Sequence, residues 1–88
     1  MKFSVNLPLD HIEPKGEFQN PEAVREIAAA LDRSRATACY LTDHPAPEAH
    51  WLHNTPGGHD ALDPFTGLAF IASQTSRVKL LSNIVVLP

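Results

Sequence analysis

Apolar and polar residues alternate over residues 2–8, and this period of two predicts a β-strand with Phe3, Val5 and Leu7 on one face. Pro8 ends the predicted strand, because a proline nitrogen cannot donate a hydrogen bond to a neighbouring strand. Residues 9–20 are mostly polar and include a proline and a glycine, so they predict a loop at the end of this strand.

The apolar period changes to that of an α-helix over residues 22–33. Asn20 is a favoured N-cap, Pro21 fits the first helical position, and Glu22 suits the positive end of the helix dipole. Four apolar residues then recur at helical spacing and define one face: Val24, Ile27, Ala28 and Leu31. The sequence therefore predicts an amphipathic helix after the first loop.

Two further strands and a second helix are predicted in the rest of the chain. Residues 38–41 (Ala-Cys-Tyr-Leu) are nearly all apolar, which is typical of a strand buried on both faces. Residues 45–62 contain three prolines and two glycines and predict a long loop. Asp63 and Pro64 repeat the helix-start signature, and a mostly buried helix is expected to end within residues 74–77. Its predicted apolar face consists of Phe65, Leu68, Ala69 and Ala72, and Phe70 and Ile71 widen it. Residues 78–87 predict a third, deeply buried strand.

The alternation of strands and helices indicates an α/β fold. Helical connections imply parallel strands with right-handed crossovers, as at the start of an α/β sheet or barrel. A (β/α)₈ barrel has about 250 residues, so 88 residues supply about three of its eight strands. A parallel strand is costly as an exposed edge. We therefore expect residues 1–88 to be a piece of one larger domain, or to need a partner, and we expect no stable monomer.

Composition and charge exclude several classes of function. The chain has seven basic and ten acidic residues and therefore a net charge of −3, so nucleic-acid binding is not expected. The single cysteine, Cys39, excludes an internal disulfide framework and a zinc site with several cysteines. No apolar run approaches the roughly 20 residues of a membrane span, and the start of the chain does not resemble a signal peptide. We expect a cytoplasmic protein.

The first candidate for chemistry is Thr42-Asp43-His44-Pro45, where the second predicted strand meets its loop. α/β folds place their sites at the carboxyl ends of parallel strands. An aspartate beside a histidine can orient or charge the imidazole, which titrates near neutral pH. The alternative is that Asp43 and His44 only end the strand.

The long loop holds further polar candidates. Four histidines lie in or next to it, at His44, His50, His53 and His59, but their spacing matches no compact metal motif, and we expect no metal site. Residues 57–60 (Gly-Gly-His-Asp) lack the ending of a phosphate loop and favour a hinge or lid. Trp51 can stack on a planar ligand or cover the loop's own small core, and the sequence leaves both open.

Two polar residues, Ser82 and Asn83, interrupt the third predicted strand. Either this strand starts late and these side chains face helix ends, or a bulge directs backbone groups at a ligand. From the pattern alone we favour the late start.

Several motifs in order resemble one protein family over essentially the whole chain. They lie at residues 42–45 (Thr-Asp-His-Pro), 62–65 (Leu-Asp-Pro-Phe), 75–80 (Thr-Ser-Arg-Val-Lys-Leu) and 82–88 (Ser-Asn-Ile-Val-Val-Leu-Pro). Together they resemble the amino-terminal third of the bacterial luciferase-like monooxygenase superfamily, and within it the branch that uses the 8-hydroxy-5-deazaflavin coenzyme, F(420). The resemblance implies a TIM (β/α)₈ barrel, incomplete here, often dimeric, with hydride transfer or flavin-dependent oxygenation as its chemistry.

The resemblance also implies roles for individual residues. His44 matches a histidine beside the deazaflavin ring that assists proton or hydride transfer. Asp43 matches an acidic neighbour that contacts the coenzyme. Asn83, Ile84 and Val85 match a bulge in the third strand, where many members have a non-prolyl cis peptide that supports the ring.

Two hypotheses of different classes follow. The first is a deazaflavin-dependent oxidoreductase acting on an unknown small organic substrate, with flavin mononucleotide (FMN) as the alternative coenzyme. The second is a non-catalytic, shortened relative or fragment that assembles through its open sheet edge, as a homo-oligomer or with the rest of a barrel.

Overall fold

The chain forms three parallel strands and three helices in a computed structural model that describes residues 1–9, 17–46, 48–54 and 61–88. In chain order these elements are β1 (Ser4–Asn6), α1 (Pro21–Arg33), β2 (Ala38–Leu41), α2 (Ala49–Asn54), α3 (Pro64–Gln74) and β3 (Lys79–Ser82). The expected α/β fold with parallel pairing is confirmed: β2 lies between β1 and β3, and both pairs are parallel.

Helices α1 and α3 cover the same face of the sheet. Val5, Cys39 and Leu80 are register partners across the three strands, and all three belong to or pack against the core that both helices share. The helices also touch each other, and the guanidinium of Arg25 lies 5.9 Å from the ring centre of Phe70. Strands that follow one another in spatial order, with their helices on one face, make a singly wound sheet.

Neither α1 nor α3 covers the other face of the sheet. Its middle row is Asn6, Tyr40 and Leu81, which are also register partners. Asn6 is exposed, Tyr40 is half-buried, and Leu81 keeps 46% of its surface exposed. Parallel sheets in known folds are normally buried on both faces. The uncovered row is therefore the side on which further structure would pack.

Both predicted helix starts are confirmed. The side-chain oxygen of Asn20 accepts a hydrogen bond from the backbone N–H of Ala23 at 2.9 Å. Oδ2 of Asp63 accepts from the backbone N–H of Thr66 at 2.8 Å and from its hydroxyl at 2.7 Å. The backbone bonds satisfy N–H groups that have no partner within either helix. The two bonds from Thr66, first that of its hydroxyl and then that of its backbone N–H, hold the pKa of Asp63 below its ordinary value.

The predicted face of the second helix is partly wrong. Leu68 is buried as expected, but Phe65 keeps 63% of its surface exposed, and Ala69 and Ala72 are also exposed. The buried residues are Pro64, Gly67, Leu68 and Ile71. Almost every position of this helix is apolar or small, so the pattern leaves the orientation open, and close packing of Gly67 on β2 decides it.

The third strand is shorter and more exposed than predicted. It covers Lys79–Ser82 and not residues 78–87, so the predictions of deep burial and of a late start after Asn83 are both wrong. Helix α3 covers only the side where Leu80 lies. The first strand is likewise shorter than residues 2–8, although Leu7 still donates a backbone hydrogen bond to Tyr40 O at 3.1 Å.

The predicted loop of residues 45–62 contains a helix that the sequence analysis missed. Helix α2 covers Ala49–Asn54 between prolines. Six residues are too few to show an apolar period, so the prolines around them predict a loop instead of a helix. Residues 10–16, 47 and 55–60 lie outside the described part of the chain, and so do the predictions for Gly16, Gly57 and Gly58.

Candidate functional site at the carboxyl ends of the second and third strands

The parallel sheet brings two chain segments together at one edge. Residues 42–44 follow β2 and residues 83–86 follow β3, and the two strands are neighbours. The backbone N–H of Asn83 donates to Leu41 O at 2.8 Å, so the pairing extends one residue past β3. The sequence analysis named both segments as candidates, and the structure places them next to each other.

A side-chain hydrogen bond joins the same two segments further out. Oδ2 of Asp43 accepts from the backbone N–H of Val86 at 2.9 Å. Asp43 and His44 are both half-buried. The bond crosses 43 positions in sequence, which is why no local pattern predicted it. It makes Val86 a part of the site that the sequence analysis did not name.

The backbone after β3 leaves the sheet and presents apolar side chains. The peptide bond between Asn83 and Ile84 is cis, in the segment where the resemblance implies such a bond. Ile84 and Val86 keep 70% and 53% of their surface exposed, while Val85 is half-buried. The edge therefore combines a carboxylate, an imidazole, backbone polar groups and open apolar surface.

Two other histidines, His50 and His53, lie within the described residues. His50 and His53 are exposed on α2, and the side-chain amide of Asn54 lies 3.2 Å from Nε2 of His50. No group of three or more His, Cys, Asp or Glu in the described part of the chain is placed to hold a metal ion. His59 and Asp60 lie outside that part. Trp51 is half-buried on α2.

A second polar cluster lies at the opposite end of the sheet, where α1 ends and β3 begins. Asp32 accepts from the backbone N–H of Ser76 at 2.7 Å and of Arg77 at 3.2 Å. Arg77 in turn donates to the carbonyl oxygens of Leu31, Ser34 and Ala36 at 2.8–2.9 Å. The hydrogen bonds from Ser76 and its neighbours lower the pKa of Asp32. This cluster joins secondary-structure elements and faces away from the candidate site.

An apolar cavity of about 270 Å³ lies between the amino-terminal ends of α1 and α3. Val24, Leu62 and Phe70 are among its lining residues, so it belongs to the helical side of the sheet. Buried Cys39 also lies in the core on that side, and burial raises the pKa of its thiol. Neither His44 nor Asp43 is among the described residues that line this cavity.

Comparison with known proteins leaves the identity open, since the chain matches no family model, no curated protein and no solved structure. No helix within the described ranges combines the length and the apolar character that crossing a membrane requires.

Proposed function

We propose that the chain forms the amino-terminal part of a luciferase-like (β/α)₈ barrel, and that the complete protein is a deazaflavin-dependent oxidoreductase. The observation that carries the proposal is the meeting of residues 42–44 with residues 83–86, joined by the bond from Val86 N–H to Asp43. These are the segments to which the resemblance assigns the coenzyme ring. Polar groups from successive parallel strands, gathered at their carboxyl ends, are also where barrel enzymes place their sites.

The winding of the sheet supports the barrel. In a doubly wound sheet the strand order reverses and helices cover both faces. Here the order is β1-β2-β3, and α1 and α3 share one core on one face. A sheet that continues in this way curls until it closes, and its uncovered row becomes the interior of the barrel. Asn6, Tyr40 and Leu81 would then line that interior.

The residues at the candidate site suit a planar heteroaromatic ring. Ile84 and Val86 offer exposed apolar surface, against which the face of a ring can lie. Asp43, His44 and nearby backbone groups offer hydrogen bonds to its polar edge. Barrels usually bind phosphate through the loops after strands seven and eight. These residues therefore fit the ring of deazaflavin and that of FMN, and the choice between the two rests on the resemblance.

In this proposal the coenzyme, when bound, supplies hydride transfer at a ring carbon, and a side chain of the protein donates or accepts the accompanying proton. His44 is the acid or base, since histidine is the side chain that most often transfers a proton in enzymes. Asp43, Ile84 and Val86 hold and orient the ring. The substrate is a small organic molecule that gives or receives the hydride.

Coenzyme binding by the complete protein tests the proposal. Fluorescence anisotropy of the deazaflavin coenzyme should rise and saturate as protein is added, and excess FMN should compete weakly. If FMN binds more tightly than the deazaflavin, the proposed coenzyme is wrong, but the proposed site stands. If neither coenzyme binds to folded protein, the oxidoreductase proposal is wrong and the non-catalytic alternative takes its place.

His44→Ala tests the role of the histidine once a substrate is known. A positioned acid or base contributes about 10²–10⁴-fold to rate, so the turnover number should fall by a factor in that range while coenzyme affinity changes little. Turnover and melting temperature are measured on the same preparation. Near-normal turnover would remove His44 from catalysis. A loss of coenzyme affinity at nearly unchanged saturated turnover would instead assign it to ring recognition.

A further inference from the structure

The segment after β3 is held against the end of β2 by two bonds of different kinds. The first, from Asn83 N–H to Leu41 O, continues the regular pairing of the strands. The second, from Val86 N–H to the carboxylate of Asp43, depends on one side chain. Since Ile84 and Val86 are mostly exposed, burial does little to fix this segment. The bond to Asp43 is therefore well placed to decide where residues 84–86 lie.

We propose that Asp43 is a positioning residue, whose carboxylate oxygen holds residues 83–86 in the arrangement that the coenzyme ring meets. This inference rests on the proposed function and replaces one part of it, the direct contact between Asp43 and the coenzyme that the resemblance implies. A hydrogen bond to a charged acceptor is stronger than one between neutral groups, which suits an exposed position. The bond also fixes the spacing between the His44 backbone and the apolar surface of Ile84 and Val86.

The two roles make different demands on residue 43. A positioning role needs an oxygen acceptor at this place and keeps part of its effect when the charge is removed. A direct contact that uses the negative charge needs the carboxylate itself. Asp43→Asn keeps an acceptor of the same shape without the charge, whereas Asp43→Ala removes both. Glu48→Gln is the matched control, since it removes one negative charge from an exposed residue nearby.

The experiment compares these variants in the complete protein by hydrogen–deuterium exchange resolved to the Val86 amide and by coenzyme affinity. A hydrogen bond to a charged group changes a local opening equilibrium by about tenfold or more, so Asp43→Ala should speed exchange at Val86 by at least that factor. It should weaken coenzyme affinity by a similar factor. Asp43→Asn keeps only a weaker, neutral acceptor, so it should fall between the parent and Asp43→Ala in both measurements, and Glu48→Gln should change neither.

Two results would overturn the inference. Unchanged exchange at Val86 in Asp43→Ala would show that the bond does not hold the segment. Equal loss of coenzyme affinity in Asp43→Asn and Asp43→Ala would show that the charge is what matters. If Asp43→Ala does not fold, Val86→Pro removes the same bond from the donor side and should weaken coenzyme affinity in its place; normal affinity in that variant would contradict the inference. If the parent protein binds no coenzyme, the proposed function fails, and exchange at Val86 still decides whether Asp43 holds the segment.

Discussion

The carboxylate of Asp32 joins the end of α1 to the start of β3. It accepts hydrogen bonds from the backbone N–H groups of Ser76, Arg77 and Val78, and from the Ser76 hydroxyl. Arg77 completes the joint by donating to the carbonyl oxygens of Leu31 and Ser34 at the carboxyl end of α1. Asp32, in the last turn of α1, therefore helps to determine how β3 enters the sheet.

Asp32→Asn should lower the stability of the fold at neutral pH, because an amide is a weaker acceptor and its NH₂ group repels the N–H donors around it. The hydrogen bonds hold the folded pKa of Asp32 below its ordinary value of 3.8. Its stabilising effect is therefore complete above that value and is lost as the pH falls through the lower, folded pKa. Melting temperatures of parent and variant should differ most at neutral pH and converge in acid. A difference that stays constant or grows in acid would contradict this role.

Glu26→Gln is the control for Asp32→Asn. It removes a negative charge from an exposed position of the same helix without removing a hydrogen bond to the start of β3. Its melting temperature should lie close to that of the parent protein across the same pH range.

Sequence-based prediction at the scale of residues works where the interaction is local. The caps at Asn20 and Asp63 bond to groups three positions away, so the sequence shows both partners together. The bonds of Asp32 to the start of β3 and of Asp43 to Val86 cross more than 40 positions. Nothing in the local pattern points to the partners of these two aspartates, and only the pairing of the strands brings those partners near.

At the scale of elements, close contact between α3 and β2 sets the orientation of the helix. A Cβ added to Gly67 would lie 2.7 Å from Cδ1 of Leu41, well inside van der Waals contact. Leu41 is only 2% exposed and packs in the core, so it has little room to turn away. A glycine that appears in the sequence as a weak helix residue is therefore what allows α3 to approach the sheet.

Gly67→Ala tests this contact against helix propensity. Within a helix the change normally stabilises by about 0.5–1 kcal/mol. Overpacking a core typically costs about 1–3 kcal/mol, so we expect a net loss of up to about 2 kcal/mol. For a domain of this size, each kcal/mol lowers the melting temperature by about 4–8 °C. A higher melting temperature in Gly67→Ala would show that the contact relaxes freely.

A double-mutant cycle isolates the contact between these two residues. In a Leu41→Ala background the added methyl group has space, so Gly67→Ala should then stabilise the protein instead of destabilising it. Equal effects in both backgrounds would show that Leu41 is not the residue that Gly67 accommodates.

The number and type of the elements were predicted more successfully than their bounds and faces. Three strands and two of the three helices follow from apolar periods and helix-start residues. The short helix α2 and the early end of β3 do not. The apolar run of residues 78–87 predicts burial, but burial depends on which elements cover a strand. Within the described residues only α3 does so, from one side.

At the scale of the whole molecule, one face of the sheet and the outer edge of β3 are the surfaces that further structure would cover. Leu81, Ile84, Val86 and Leu87 are exposed on or beside this edge. A parallel edge strand also presents unpaired backbone groups. Both features favour further strands beside β3, from the rest of a barrel or from other copies of the chain.

The claim that this sheet is one side of a larger closed structure is tested most directly by native mass spectrometry of the protein isolated from its own cell. We predict either a polypeptide of about 250 residues or more that contains this sequence, as a complete barrel requires, or several 88-residue chains in one particle. The contradicting result is a particle that contains one chain of 9.6 kDa and melts cooperatively in solution.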